Sequence, residues 1–176
     1  MKFGICSEIF KEWKIEKVFP FVREAGYQGL EVAPFTIADS VEKISTAERD
    51  RIKKFAQDSG VKIIGTHWLL VKPEGLSLSS RDGQLRKKTA DYLSELVNFT
   101  ADIGGDIMVF GSPKQRNIGE GQTYGEVKNN VKEALKKVLA ACEKRGVFLC
   151  LEPLARTETN FINKAEQAAE LIEEFN

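Results

Sequence analysis

The stretch EKRGVFLCLE, residues 143–152, contains the unit from which this chain is built. A charged segment that suits a helix reaches Gly146, and a short apolar run then follows at once and ends on Glu152. Glycine just past a helix tolerates the left-handed backbone that closes the last turn. An apolar run without alternating polar positions is typical of a parallel strand covered on both faces. The segment therefore predicts a helix end, a buried strand and a carboxylate at the end of that strand.

The same pattern occurs three more times along the chain. It reads REAGYQGLEV at 23–32, QDSGVKIIG at 57–65 and DIGGDIMVF at 102–110. We expect strands at about 3–6, 29–33, 61–66, 106–110 and 147–152, each followed by a helix, with a last helix over about 164–175. Consecutive βα units predict a parallel sheet with right-handed helical crossovers. Five units in 176 residues extrapolate to about 280 residues for eight, the size of a complete (β/α) barrel.

Two helix starts and one helix interior carry further signals. Ser45 with Glu48, and Thr123 with Glu126, match the capping box that satisfies free amides at a helix start. Pro20 lies inside the apolar stripe of the first helix, where proline removes a backbone hydrogen bond. We therefore expect the first helix to kink or restart at Pro20.

Composition limits the function classes. With 42% hydrophobic residues the chain can bury one core, so a single domain spanning 1–176 is expected. Lys plus Arg and Asp plus Glu are each 26, and this balance argues against general binding to nucleic acid or an anionic membrane. There is no apolar stretch long enough to span a membrane, and the apolar start of the chain is too short for a signal peptide. A soluble, cytoplasmic protein is the expectation.

The three cysteines show no metal-binding spacing. Cys6, Cys142 and Cys150 form an odd set without a CxxC pair, and two of them lie inside apolar runs. Reduced, packed thiols are the expected state. A nucleophilic role for Cys6 at a strand end lacks a partner base that the sequence makes visible.

Polar groups at the carboxyl ends of strands are the candidates for chemistry, because parallel α/β folds gather their functional groups there. Glu152 ends an apolar run, so it needs a metal or an arginine to stay charged; an ion pair with Arg156 or a lysine is the alternative. His67 is the single histidine, suited either to a metal or hydroxyl or to an ordinary hydrogen bond. Glu31 either orients His67 or pairs with a lysine.

A loop and two aromatic residues complete the candidates. The loop FGSPKQRN, residues 110–117, brings Lys114 and Arg116 close together in a composition able to hold a phosphate or a sugar carboxylate. A solvated turn is the alternative interpretation of this loop. Trp13 and Trp68 suit either the apolar face of a sugar ring or ordinary packing.

Four segments carry a resemblance to a known protein family. The similarity runs in the same order over essentially the whole chain. The segments are EVAPF at 31–35, GTHWLL at 65–70, VFGSPKQRN at 109–117 and LEPLARTETNFINKAEQAAELI at 151–172. Together they resemble the sugar phosphate isomerase/epimerase family, of the xylose-isomerase-like barrel type. The most specific part is EP followed by E-T-x-F-x-N. The fold class that we expect is therefore α/β, a xylose isomerase-like TIM-barrel type with about five of eight βα units.

The resemblance implies particular site residues. Family members bind one divalent metal, commonly Mn or Mg, through a Glu, an Asp, a His and a Glu on the fifth to eighth strands. Glu152 matches the first of these and implies one of the two carboxylates that move a proton between adjacent sugar carbons. Arg156, Glu158 and His67 match sugar-facing positions, and Trp13 matches an aromatic wall.

The resemblance also leaves open what this chain does by itself. Three of the four expected metal ligands are absent, so we expect a truncated sugar or sugar phosphate isomerase/epimerase with little activity and doubtful metal binding. The alternative is a non-catalytic partial barrel that binds a small ligand or forms a homo-oligomer through its open edges. The apurinic-endonuclease branch of the same barrel, which uses several histidines for zinc, is disfavoured by the single histidine.

Overall fold

Strand order follows chain order in the sheet, and every neighbouring pair is parallel. The computed structural model describes residues 1–175. The strands are β1 (Gly4–Cys6), β2 (Gly29–Val32), β3 (Lys62–Thr66), β4 (Ile107–Phe110) and β5 (Phe148–Leu151). The helices are α1 (Ile15–Glu24), α2 (Thr46–Ser59), α3 (Gly83–Asp102), α4 (Tyr124–Arg145) and α5 (Ala165–Glu173). The five predicted βα units are confirmed, and each strand lies within its predicted range.

The helix ends follow the predicted signals. Capping boxes form at Ser45 before α2 and at Thr123 before α4. Gly60 and Gly146 close the same two helices in the left-handed conformation, with φ of 67° and 66°. The prediction of a restart at Pro20 is wrong, since α1 runs through it. Burial of the helix face on either side of Pro20 offsets the single lost hydrogen bond. No helix within residues 1–175 is both long enough and apolar enough to cross a membrane.

The two faces of the sheet differ in burial. One face packs against the helices, where Leu30, Val32, Met108 and Phe110 are all fully buried. The other face is partly open, and Phe148 on the edge strand β5 is 71% exposed there. Parallel strands are covered on both faces in a complete α/β core. The exposed face of β5 therefore departs from the burial that its apolar run predicts.

The loops after β4 and β5 are hydrogen-bonded to each other. The Thr159 hydroxyl donates to Asn117 Oδ1 at 2.7 Å, and the amide of Ile118 donates to Asn160 Oδ1 at 2.7 Å. The Asn163 side chain donates to the carbonyl oxygen of Leu154 at 2.8 Å. The E-T-x-F-x-N motif therefore shapes the loop after β5 and fixes it to the loop after β4.

Candidate functional site

A histidine lies between two carboxylates at the carboxyl end of the sheet. His67 Nδ1 is 3.2 Å from Glu31 Oε2, and His67 Nε2 is 3.5 Å from Glu152 Oε2. The exposed fractions of these side chains are 25%, 30% and 35% for His67, Glu31 and Glu152. Of the two alternatives for Glu31, the contact with His67 forms, and Glu152 and His67, predicted independently, meet in one site.

Local structure explains this convergence. Glu31 is a strand residue of β2, while His67 directly follows β3 and its amide donates to the carbonyl oxygen of Val32 at 3.1 Å. Trp68 comes next with a φ of 56°, and its ring centroid lies 6.0 Å from that of His67. A bulky side chain in the left-handed region is strained, and such strain is held in place by surrounding structure, often at functional sites.

Glu152 reaches His67 across the end of β4, which carries no side chain at that point. A Cβ on Gly111, the residue after β4, would lie 2.5 Å from Glu152 Oε2. The main chain of Glu152 is held as well, because Arg116 Nη2 donates to its carbonyl oxygen at 2.7 Å. The glycine and the arginine both come from the loop after β4, so that loop positions the carboxylate.

The charges at the site favour a protonated imidazole. The pKa of His67 is raised to about 10 from an ordinary 6.5, first by the Cys6 thiol, then by the Glu31 carboxylate, with the charge of Glu152 adding to the rise. Partial burial opposes this shift. The described side chains show no hydrogen bond of ordinary geometry from Cys6 to the ring, so the carboxylates are the firmer cause. The raised pKa of His67 therefore favours the charged imidazole at neutral pH.

Arg116 is a fully buried cation with unused donors. Its side chain has no exposed surface, and neither Nε nor Nη1 has a hydrogen-bond partner among the described residues. Burial lowers the pKa of Arg116 to about 10, although the charges of Glu152 and Glu158 act to raise it. Its guanidinium carbon lies 5.9 Å from the centre of the Phe110 ring. The solvated-turn interpretation therefore fits neighbouring Lys114, which is exposed, and fails for Arg116.

The remaining predicted residues lie outside this cluster. Arg156 and Glu158 are exposed in the loop after β5, and the alternative ion pair between Arg156 and Glu152 does not form among the described residues. Trp13 is 42% exposed and packs against Phe10 and Phe21, with ring centroids 5.5 and 5.2 Å away. The roles of these residues in sugar binding remain predictions.

Cys6 is the residue at this site that sequence reasoning left without a partner. Cys6, Glu31 and His67 each offer one ligand atom, and these atoms lie within 4.8 Å of one another. The only signal in the sequence is position, because each residue stands at or just after the end of one of three consecutive strands. What the sequence hides is that these strand ends face a common point.

The chain matches the family model described as xylose isomerase-like TIM barrel over residues 19–176. A curated relative is a probable ketose 3-epimerase from Synechocystis sp., 25% identical over 98% of this chain and 58% of its own length. The chain thus spans somewhat over half the length of that relative.

Solved structures show the same fold. D-psicose 3-epimerase from Clostridium cellulolyticum, solved with D-tagatose, superposes with a TM-score of 0.80 at 20% identity, over 100% of this chain and 60% of its own. The 3-keto-D-glucoside 4-epimerase from E. coli superposes with a TM-score of 0.80 at 17% identity, over 99% of this chain and 64% of its own. A family 2 AP endonuclease from Brucella melitensis reaches 0.71 at 16% identity, over 100% of this chain and 65% of its own.

Proposed function

Because this chain belongs to the xylose isomerase-like TIM-barrel family, we propose that it carries part of a sugar epimerase active site in which Glu152 transfers the proton. The observation that carries the proposal is the carboxylate of Glu152, one-third exposed at the sheet edge and 3.5 Å from the His67 imidazole. A carboxylate beside a hydrogen-bond donor is the pair of groups needed to remove a proton next to a carbonyl.

In the proposed reaction Glu152 takes the C3 proton of a ketose. The electron pair of the broken C–H bond forms a C2–C3 double bond, the π pair of the carbonyl moves to its oxygen to give an enediolate, and Glu152 becomes protonated. The imidazolium of His67 donates a hydrogen bond to the developing negative charge. Protonation of C3 by water from the opposite face completes epimerisation, and Glu152 then gives its proton to the hydroxide that is left, whereas proton return from Glu152 restores the starting sugar.

A divalent metal suits the oxygen donors of this site in part. Glu152 would hold it, because a carboxylate is a common ligand of Mn²⁺ and Mg²⁺. When bound, the metal would act as a Lewis acid toward the sugar oxygens. A single carboxylate is fewer than the three or four ligands that usually retain such an ion, so weak metal binding by this chain is part of the proposal.

The substrate that we propose is an unphosphorylated ketose. The relatives are named as epimerases of sugars without a phosphate group, and this supports an unphosphorylated ketose over a sugar phosphate. Exposed Lys114 remains the candidate for an anionic substituent, and Trp68 beside His67 is better placed than Trp13 for the apolar face of a sugar. Free thiols at Cys6 and Cys150 suit a reducing compartment, and we propose the cytoplasm.

Self-association is a further part of the proposal. The edge strand β5 exposes Phe148, and an apolar groove of about 520 Å³ beside it is lined by residues of α4, β5 and α5. Open strand edges with apolar surface favour pairing with another copy.

Deuterium exchange tests the proton-transfer step separately from epimerisation. The purified 176-residue chain is incubated with Mn²⁺ and D-fructose, D-tagatose or D-psicose in D₂O, and NMR follows the C3 proton signal. Because Glu152 is the one carboxylate proposed to move the proton, we expect slow replacement of that proton by deuterium and no measurable epimer. Glu152→Gln should abolish the exchange, and Glu24→Gln, at an exposed carboxylate on α1, should leave it unchanged.

Two results would contradict the proposal. Exchange that survives Glu152→Gln would show that another group takes the proton. Ketose binding without any exchange in the unaltered chain would favour the non-catalytic partial barrel. Epimer formation by the unaltered chain would disprove only the expectation of low activity.

A further inference from the structure

We propose that Cys6, Glu31 and His67 form a binding site for one zinc ion, separate from the metal ligand role assigned to Glu152. Their three ligand atoms lie within 4.8 Å of one another at the ends of three consecutive strands. A tetrahedral zinc with bonds of about 2.0–2.3 Å separates its ligands by less than this, so small side-chain movements suffice to close the site.

The backbone holds the three ligands together. Cys6 and Glu31 are direct partners in the parallel pairing of β1 with β2, so their side chains lie on the same face. His67 joins them because its amide donates to the carbonyl oxygen of Val32, the residue after Glu31. A site on strand ends is more rigid than one on loops.

The chemistry of the three donors selects a class of ion. A thiolate, an imidazole and a carboxylate are a soft, a borderline and a hard donor, the mixture that zinc accepts and that Mg²⁺ and Mn²⁺ do not prefer. The Cys6 thiol makes no hydrogen bond of ordinary geometry within residues 1–175, and the only side-chain hydrogen bond of Glu31 there is to His67. All three side chains are partly exposed, so an ion can reach them from solvent.

The site is of the open type. Three protein ligands leave a fourth position for water, as in zinc sites that take part in catalysis. Binding releases the imidazole and thiol protons, because the ligands of zinc are the deprotonated groups. Glu152 lies beyond His67 and does not belong to the three-residue cluster.

Cobalt titration tests the site through a spectrum that requires the thiolate. The metal-free 176-residue chain is titrated with Co²⁺, and absorption is recorded for a thiolate-to-cobalt charge-transfer band in the near ultraviolet. We expect one equivalent of Co²⁺ to saturate the band and one equivalent of Zn²⁺ to remove it. Cys6→Ser should abolish the band, and His67→Gln should weaken binding at least about 100-fold.

Matched variants separate loss of the zinc site from misfolding and from metal binding at another thiol. Cys150→Ser, at the exposed cysteine of β5, should keep the band, and Glu152→Gln should keep it while abolishing deuterium exchange. Circular dichroism of Cys6→Ser should match the unaltered chain, which excludes misfolding. A missing band in the unaltered chain, a band that survives Cys6→Ser, or a band lost in Cys150→Ser would overturn the zinc site and leave the proposed function unaffected.

Discussion

Gly111 makes room for the carboxylate of Glu152. The Cβ of any other residue at position 111 would lie 2.5 Å from Glu152 Oε2, closer than real contacts allow. Gly111 leaves no side chain just after β4. The carboxylate of Glu152, just after β5, can therefore reach His67, just after β3, across the end of β4. This bare strand end is what makes one site from residues two strands apart.

Gly111→Ala should therefore disable the site without unfolding the chain. The clash is with the flexible end of Glu152, so we expect the free energy of unfolding to change by less than about 1 kcal/mol. Displacing a catalytic group by about 1 Å costs on the order of 100-fold in rate, and deuterium exchange should fall accordingly. Gly125→Ala is the control, because no atom lies within 4 Å of a Cβ at that position. Full exchange by Gly111→Ala would show that the position of Glu152 is not critical.

His67 should titrate far above neutral pH in the metal-free chain. Its pKa is raised to about 10, so its contribution to stability is fully present below the ordinary value of 6.5 and is lost as pH rises through about 10. As the single histidine, it gives an unambiguous NMR signal. We expect that signal to remain in the protonated position from about pH 6 to about pH 8, where an ordinary histidine loses its charge.

Variants separate the causes of that shift. Glu31→Gln should lower the pKa of His67 more than Glu152→Gln does, because Glu31 supplies both a hydrogen bond and a charge. Glu24→Gln should leave it unchanged. An imidazole signal that titrates near 6.5 in the unaltered chain would contradict the proposed effect of Glu31 and Glu152 on the pKa of His67.

Two buried arginines should respond differently to replacement by methionine. Arg49 donates to two backbone carbonyls and to the carboxylates of Glu95 and Asp102, whereas Arg116 has a single hydrogen bond. We expect Arg49→Met to cost about 2–4 kcal/mol, somewhat less than a fully buried pair, because its carboxylate partners are one-third exposed. Arg116→Met should cost about 1 kcal/mol. Urea unfolding of both variants measures the difference.

The same two replacements should affect activity in the opposite order to stability. Arg116→Met removes the anchor of the Glu152 main chain and should reduce deuterium exchange at least about 10-fold. Arg49→Met lies in the contact between α2 and α3, so the folded fraction of that variant should exchange normally. Equal loss of exchange in both would mean that Arg116 acts through general stability alone.

Phe148 should control self-association. Light scattering during size exclusion should show a mass that rises with concentration, because β5 is an unpaired edge with exposed apolar surface. Phe148→Lys should weaken the dimer at least about 10-fold by placing a charge at this edge. Ile9→Lys, at a residue with 62% exposure in the first βα loop, is the matched control. A monomer at all concentrations would exclude the open-edge pairing.

The sequence predicts the strands and their order well because two signals precede or form each strand after β1: a glycine that ends the helix before it, and an apolar run. Gly60 and Gly146 stop a helix, and the apolar run that follows has no alternation of polar positions. The expected restart at Pro20 does not occur, because burial of the surrounding helix face outweighs one lost hydrogen bond. Local sequence signals therefore determine where strands and helices form, and packing determines exceptions such as the continuous helix at Pro20.

The site is less predictable because it depends on contacts between distant segments. Glu152 and His67 are identifiable from their places at strand ends, yet their meeting depends on a missing side chain at Gly111. The burial of Arg116 depends on how two loops pack. Neither relation has a counterpart in spacing or composition.

The unbroken order of strands along the sheet has a consequence for synthesis on the ribosome. Each strand pairs with the one translated just before it, so every new βα unit finds its docking surface already present. Loop-closure entropy stays small for such near-neighbour pairing, which favours fast folding. The five described units can thus assemble stepwise from the amino terminus, and the edge of β5 is the template that they offer to any strand that pairs next.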